Sequence, residues 1–280
     1  MGRLQVLGHV HCSWERGPRF DNVSWNASRP EHVSTNLSEI IRAAKKYCFA
    51  RVDLTPHYHD PENSFCVPPF EKLWGEIVLT GCENLIYQGV EANVVLVRDA
   101  RHDTENIGLD FNPDQFQLSI SPVIASIHFT RELGWPEYDG VPRPQQDPEW
   151  MLEAYLEIME KFPYVEVLGH PFQYSVGIAC ETYIPANRHQ LGELATAAQK
   201  AGVALEVNAG KALRSREKIK WPWMLAPKYA AVLADSGVSI YIGTDIHTPG
   251  KLEYLRNLDQ VCEWLIRLGV SPDQIIGWEQ

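Results

Sequence analysis

The sequence contains no C-x-x-C pair and no framework spacing among its six cysteines, at positions 12, 48, 66, 82, 180 and 262. A disulfide scaffold is therefore not expected, and in a chain of this length the thiols read as reduced, which points to a cytoplasm. No apolar run approaches the ~20 residues that a membrane-crossing helix needs, so no membrane partner is expected. The opening MGRLQVLGHVH has neither a sustained apolar segment nor a small-residue cleavage site. A secretory signal is thus not expected, and the Asn-x-Ser sequons at Asn22, Asn26 and Asn36 read as accidental. No G-x-G-x-x-G follows a strand, which leaves a dinucleotide fold without support. Positive charge is also scarce: 25 Lys+Arg stand against 36 Asp+Glu, for a net charge of −11. Such a balance repels a nucleic-acid polymer, since no basic run supplies the missing charge. A modest cluster at 211–220, KALRSREKIK, could face a small anion, or could be a solvated loop.

What the sequence does have is a repeating alternation. Short runs rich in Val and Ile, at 4–11, 50–57, 89–96, 122–129, 165–170, 203–209 and 238–245, read as buried strands. Segments of helical spacing at 37–48, 70–88, 147–162, 187–201, 223–236 and 250–268 lie between or after them. The helix at 147 starts well, with Asp147 to cap, Pro148 in the first turn, and Leu152, Tyr155, Leu156 and Met159 in one stripe. AGV at 201–203 and SGV at 236–238 read as glycine stops before the next strand. Seven strands alternating with six helices, with no break in composition, predict an α/β fold, a single domain over 1–280 closed into a barrel, with an open doubly wound sheet as the alternative. The long stretches 12–36, 99–118 and 130–146 are too large for plain connections and read as site walls or lids.

Of ten histidines, six fall at or just past the end of a predicted strand: His9, His11, His57, His128, His170 and His247. Glu91 and Asp245 share that placement, and the C-terminal strand ends are where barrel enzymes keep their chemistry. Side chains at i and i+2 of a strand point the same way, so His9 with His11, and Asp245 with His247, can each aim at one point. Imidazoles mixed with carboxylates suit zinc, iron or manganese better than calcium or magnesium. Glu91 is telling because it interrupts the apolar run GVEANVV, where a carboxylate without a cation is costly. His59 reads as a loop residue, and His32, His102 and His189 as structural or exposed.

Taken in order, HVH (9–11), TPH (55–57), GVE (89–91), ASIHF (125–129), GHP (169–171) and TDIH (244–247) resemble the PHP family, named for polymerase and histidinol phosphatase. ASIHF, LGHP and LEVNAG (205–210) look most like its stand-alone histidinol-phosphatase type. The resemblance spans nearly the whole chain and implies a distorted (β/α)7 barrel with a trinuclear centre of divalent zinc, manganese or iron. Carried over by position, one ion would take His9, His11, Glu91 and Asp245, and Glu91 would bridge to a second held by His128 and His170. The third would take His57 and His247, with Glu91, Asp245 and His247 as the catalytic candidates. The family usually adds a loop ligand after H-x-H; Gly17 stands at that position, with Glu15 the nearest substitute and Asp21 the next. Pro56 replaces the usual aspartate of T-D-H.

Three divalent ions would make the rim cationic in an acidic protein, a field suited to a small phosphate monoester as partner. The resemblance thus implies hydrolysis of such an ester, histidinol phosphate among the candidates, by metal-activated hydroxide. Arg131, Lys211 and Arg214 are candidates for substrate phosphate contact, though surface charge explains each equally well. Trp14, Trp25, Trp135 and Tyr138 could read the organic part or simply pack the loops. A phosphodiesterase acting on a small nucleotide, a hydrolase of C–N or ester bonds, and a non-catalytic metal-stabilised binding module are the other readings. Oligomeric state is left open.

Overall fold

A computed structural model describes residues 2–12, 35–58, 70–99, 104–127, 148–172, 187–210, 227–247 and 249–280, with the side chains of 95–99, 104–106 and 254 outside the description. In chain order its elements are β1 (Arg3–Leu4), β2 (Val6–Val10), α1 (Leu37–Lys46), β3 (Arg51–Leu54), α2 (Phe70–Leu79), β4 (Ile86–Gln88), β5 (Val90–Asp99), β6 (Thr104–Leu109), β7 (Val123–Ser126), α3 (Pro148–Lys161), β8 (Val167–Leu168), α4 (Arg188–Ala201), β9 (Ala204–Asn208), α5 (Pro227–Ser236), β10 (Ile240–Ile246), α6 (Leu258–Arg267) and β11 (Trp278–Glu279). Capping boxes start α1 at Asn36 and α4 at Asn187, each with its side chain accepting from the N3 backbone. Gly202 and Gly237 take positive φ where α4 and α5 stop, as a left-handed cap requires.

Nine strands form one curled sheet in the order β4-β3-β2-β10-β9-β8-β7-β5-β6, parallel throughout except for the β5–β6 hairpin. The β4–β5 segment joins both ends of the curl. Gly89 N–H donates to Leu54 O and Glu91 N–H to Pro56 O on one side, while Val90 N–H donates to Pro122 O on the other. β2, β7 and β9 are buried along their whole length, as expected of parallel strands covered on both faces. On the inner face, Val6, Ile124, Val167, Ala204 and Tyr241 form an apolar layer with one residue from each of five strands. Positions two further along these strands lie nearer the C-terminal ends, and there the inner face turns polar: Ser126, Glu206 and then Asn208 are buried.

Several element boundaries differ from the sequence reading. The helix expected over 70–88 ends at Leu79, and Ile86–Gln88 is a strand instead. The stretch 99–118, expected to be irregular, contains β6 paired antiparallel to β5. The helix expected from 250 opens with a 3-10 segment, Pro249–Asn257, before α6 begins. A two-stranded β1–β11 pair, which the pattern did not suggest, joins Arg3 to Glu279 and Leu4 to Trp278. Most of the proposed walls at 12–36 and 130–146 lies outside the described residues.

Candidate metal centre

The parallel strands deliver their polar residues to one end of the curl, and two of them do so through a break in the ladder. Pairing of β2 with β3 shifts register between Leu7 and Val10, and pairing of β10 with β2 shifts between Gly243 and Ile246. His9 and Asp245 lie inside these irregularities with φ of 51° and 47°. A non-glycine residue rarely holds this left-handed conformation, and such strain collects at functional sites. His170, following β8, is a third case at this cluster, with φ of 28°, and Phe172 and Cys48 are the other two non-glycine residues at positive φ among the described residues.

The result is a nest of imidazoles around Glu91. Its Oε2 lies 3.2 Å from His9 Nε2, 3.5 Å from His11 Nε2 and 2.8 Å from His57 Nδ1, and its Oε1 lies 3.1 Å from His170 Nε2. Asp245 Oδ1 lies 3.4 Å from His11 Nε2 and 3.2 Å from His247 Nδ1. The His11 ring centroid is 4.1 Å from that of His247 and 4.4 Å from that of His57. Seven of the residues singled out in the sequence are thus together: His9, His11, His57, Glu91, His170, Asp245 and His247. Glu91 is not at a strand's end, however. It is the second residue of ten in β5, which runs on past the cluster as the β5–β6 hairpin. His128, Glu15, Asp21, Arg131, Lys211 and Arg214 lie outside the described residues. His189 is exposed on α4, away from the cluster's strands.

Two donor groups each gather within 4.8 Å: His9, His11 and Glu91 in one, and His11, His57 and His247 in the other. Nitrogen and carboxylate donors at this spacing fit a borderline transition metal. One observation supports that fit directly: the buried Nε2 of His9 has no hydrogen-bond partner among the described residues. A buried polar atom left in that state is costly, and a metal ion would satisfy its lone pair. Burial alone would lower the His9 pKa, but the Glu206 and Glu91 carboxylates raise it well above the ordinary imidazole value. Burial would raise Asp245, yet His247, His11 and His9 hold its carboxyl well below the usual range.

Two residues near the cluster escaped the sequence reading. Glu206, on β9, is fully buried, with Oε1 2.7 Å from His9 Nδ1 and Oε2 accepting the His170 N–H at 2.6 Å. Asn208, two positions on, donates from Nδ2 to Asp245 Oδ2 at 3.3 Å. The signal was available for Glu206, since it interrupts the apolar VALEVNA as Glu91 interrupts GVEANVV.

No protein-family model matches the sequence, and no curated protein matches it. Among solved structures, the chain is similar to a histidinol phosphate phosphatase from Lactococcus lactis subsp. lactis Il1403, complexed with zinc, L-histidinol and phosphate. That match has a TM-score of 0.54 and 16% identity, and covers 95% of this chain and 94% of the other. Two structures of fructose-1,6-bisphosphate aldolase, one of them described as archaeal, match at TM-scores of 0.40 and 0.41 with 12% and 13% identity. They cover 92% of this chain and 93% and 94% of theirs. The phosphatase match bears on the fold alone: a mixed α/β chain on a curled nine-stranded sheet compatible with a TIM-like barrel. No described helix is long and apolar enough to cross a membrane.

Proposed function

We propose that the chain is a metal-dependent phosphoesterase of the PHP type, acting on a small phosphate monoester. The observation that carries this reading is the convergence of His9, His11, His57, Glu91, His170, Asp245 and His247, the residues of five motifs in PHP order, at one end of the sheet. The backbone supports the corresponding fold, a single-domain distorted (β/α)7 barrel: counting β4 and β5 as one interrupted strand, the ring runs through β2, β3, β4–β5, β7, β8, β9 and β10. The phosphatase of similar fold was described with zinc, L-histidinol and phosphate, which makes histidinol phosphate the first substrate to try.

The roles divide by access. Glu91 is 1% exposed and faces four imidazoles, so it serves as a bridge between donor groups rather than as a proton carrier. Asp245 is 22% exposed, and His57 and His247 are 12% and 14% exposed, so substrate approaches from their side. Asp245 Oδ1, held ionised, is placed to accept a hydrogen bond from the attacking water and so orient it, while His247 Nδ1 lies 3.2 Å from the same oxygen. Divalent ions, when bound, polarise phosphoryl oxygens and lower the pKa of water. His9, His11, His57, Glu91, His170, Asp245 and His247 would hold them, with His128 and Glu15 added from the sequence. His11 belongs to both donor groups, so it can serve the His57–His247 pair at which the sequence has Gly17 in place of a loop ligand. Three ions, a cytoplasmic setting, and phosphate contacts from Arg131, Lys211 and Arg214 complete the proposal.

The test is to purify the protein without chelators, count bound metal, and assay aryl phosphate, aryl phosphate diester and carboxylic ester substrates with manganese or zinc. Monoester hydrolysis that follows metal content is the expected result. Metals fully bound with no phosphatase activity would sink the reading, and diester or ester turnover alone would move it to those classes.

A further inference from the structure

The inner face of β9 carries a carboxylate for which the proposed ligand set has no use. Glu206 is fully buried beside the donor cluster, and a buried carboxylate persists only where its oxygens are committed. Both are: Oε1 to Nδ1 of His9 at 2.7 Å and Oε2 to the backbone N–H of His170 at 2.6 Å. We propose that Glu206 is the positioning residue of this centre. It keeps the His9 proton on Nδ1, turns the Nε2 lone pair toward Glu91 and His11, and pins the turn that carries the His170 ring to Glu91. The inference rests on the metallohydrolase reading above.

An imidazole coordinates through one nitrogen when the other is fixed as a donor, and the partner of the second nitrogen decides which is which. An ionised carboxylate only accepts, so Glu206 Oε1 requires the N–H on Nδ1. His9 Nε2 is then left facing Glu91 Oε2 at 3.2 Å, where it has no hydrogen-bond partner among the described residues. The His9 backbone is tied as well. Its N–H donates to the Tyr241 hydroxyl at 3.0 Å, which donates to Asp53 at 2.8 Å. The space for Glu206 comes from Gly243 of GTDIH, where an added Cβ would fall within the Glu206 carboxylate.

Glutamine fits the same volume but carries one acceptor and one donor. Whichever way its amide turns, an NH2 faces either the His9 ring nitrogen or the His170 N–H. Turned toward His9, it favours the tautomer with the proton on Nε2, where coordination must occur.

Zinc affinity of metal-free wild type and Glu206→Gln, measured by competition with a chromophoric chelator, tests the assignment. Circular dichroism and thermal unfolding of the metal-free forms check that the variant folds. The expected result is a 10–100-fold weaker zinc affinity in the folded variant, the range for losing an outer partner of a ligand histidine. A folded variant that binds zinc within about twofold of wild type, well short of that range, overturns this inference alone. A wild-type protein that takes up no zinc overturns the metallohydrolase reading and this inference together. A second measurement needs no variant: nitrogen-15 histidine spectra of zinc-loaded wild type should show His9 coordinated through Nε2 with the proton on Nδ1. Coordination through Nδ1 overturns the proposal.

Discussion

At Glu91 one carboxylate faces His9, His11, His57 and His170, and each of its oxygens serves a different part of the set. Glu91→Gln removes the shared charge while keeping the shape. Because loss of an outer partner alone costs 10–100-fold in affinity, this substitution should lower activity by more than ~100-fold and reduce bound metal, as read by elemental analysis. Unchanged metal content would contradict the bridging role proposed for Glu91. His9, His11, Asp245 and His247 were legible because paired polar residues at strand ends are rare in apolar runs. Glu206, with Asn208 two positions on, interrupts its apolar run in the same way, but its task shows only when β9 is laid beside β2 and the turn after β8. Asn36 is a related case. Its Asn-x-Ser reads as a sequon, but its side-chain oxygen is occupied by the N–H of Glu39 and the hydroxyl of Ser38 at the start of α1.

Among elements, the caps and the close approaches set local stability. Asn187→Ala removes the acceptor for the Gln190 N–H at the start of α4 and should cost about 1 kcal/mol in denaturant unfolding, with the slope unchanged. Gly8→Ala would place a Cβ 2.5 Å from the Tyr241 ring, so overpacking should cost ~1–3 kcal/mol. Unaltered stability would mean that both the Tyr241 ring and the Ile242 carbonyl, 2.7 Å from that Cβ, have room to move. The alternation of strands and helices was readable from periodicity, whereas β4 and β6 were not. β4 is three residues long and follows α2 closely enough for IYQ to extend its apolar spacing, although Gly81, at φ of 64°, marks the turn between them. β6 reads TENIGL, with little of the alternation that marks a strand, and takes its conformation from pairing with β5. His9 and His11 both lie beside Glu91 Oε2, but simple i, i+2 alternation is not the whole cause, since the ladder shifts register at His9 and a left-handed residue re-aims the chain.

For the whole molecule, ligand binding and ionisation report on the folded state together. A metal held only by the folded cluster raises thermal stability by mass action, about 2.7 kcal/mol at a hundredfold excess over Kd. Chelation should therefore lower Tm in the wild type, and by less in Glu91→Gln. At alkaline pH, burial, with Asp110 and Asp114 nearby, pushes the Tyr164 hydroxyl up to about 12. Its folded pKa lies above the unfolded value, so its contribution is complete below the ordinary tyrosine pKa and is lost as pH rises toward 12. Tyr164→Phe should flatten that part of the stability curve; an unchanged slope would assign the loss to other groups. The parallel pairing of β2 with β10 bears on synthesis as well as geometry. Asp245 and His247 are synthesised more than 230 positions after His9 and His11. A nascent chain short of β10 therefore lacks both donors on the open side of the cluster. On the proposed metal reading, capture through them has to await the synthesis of β10, so it follows the first contacts of the sheet and cannot seed them.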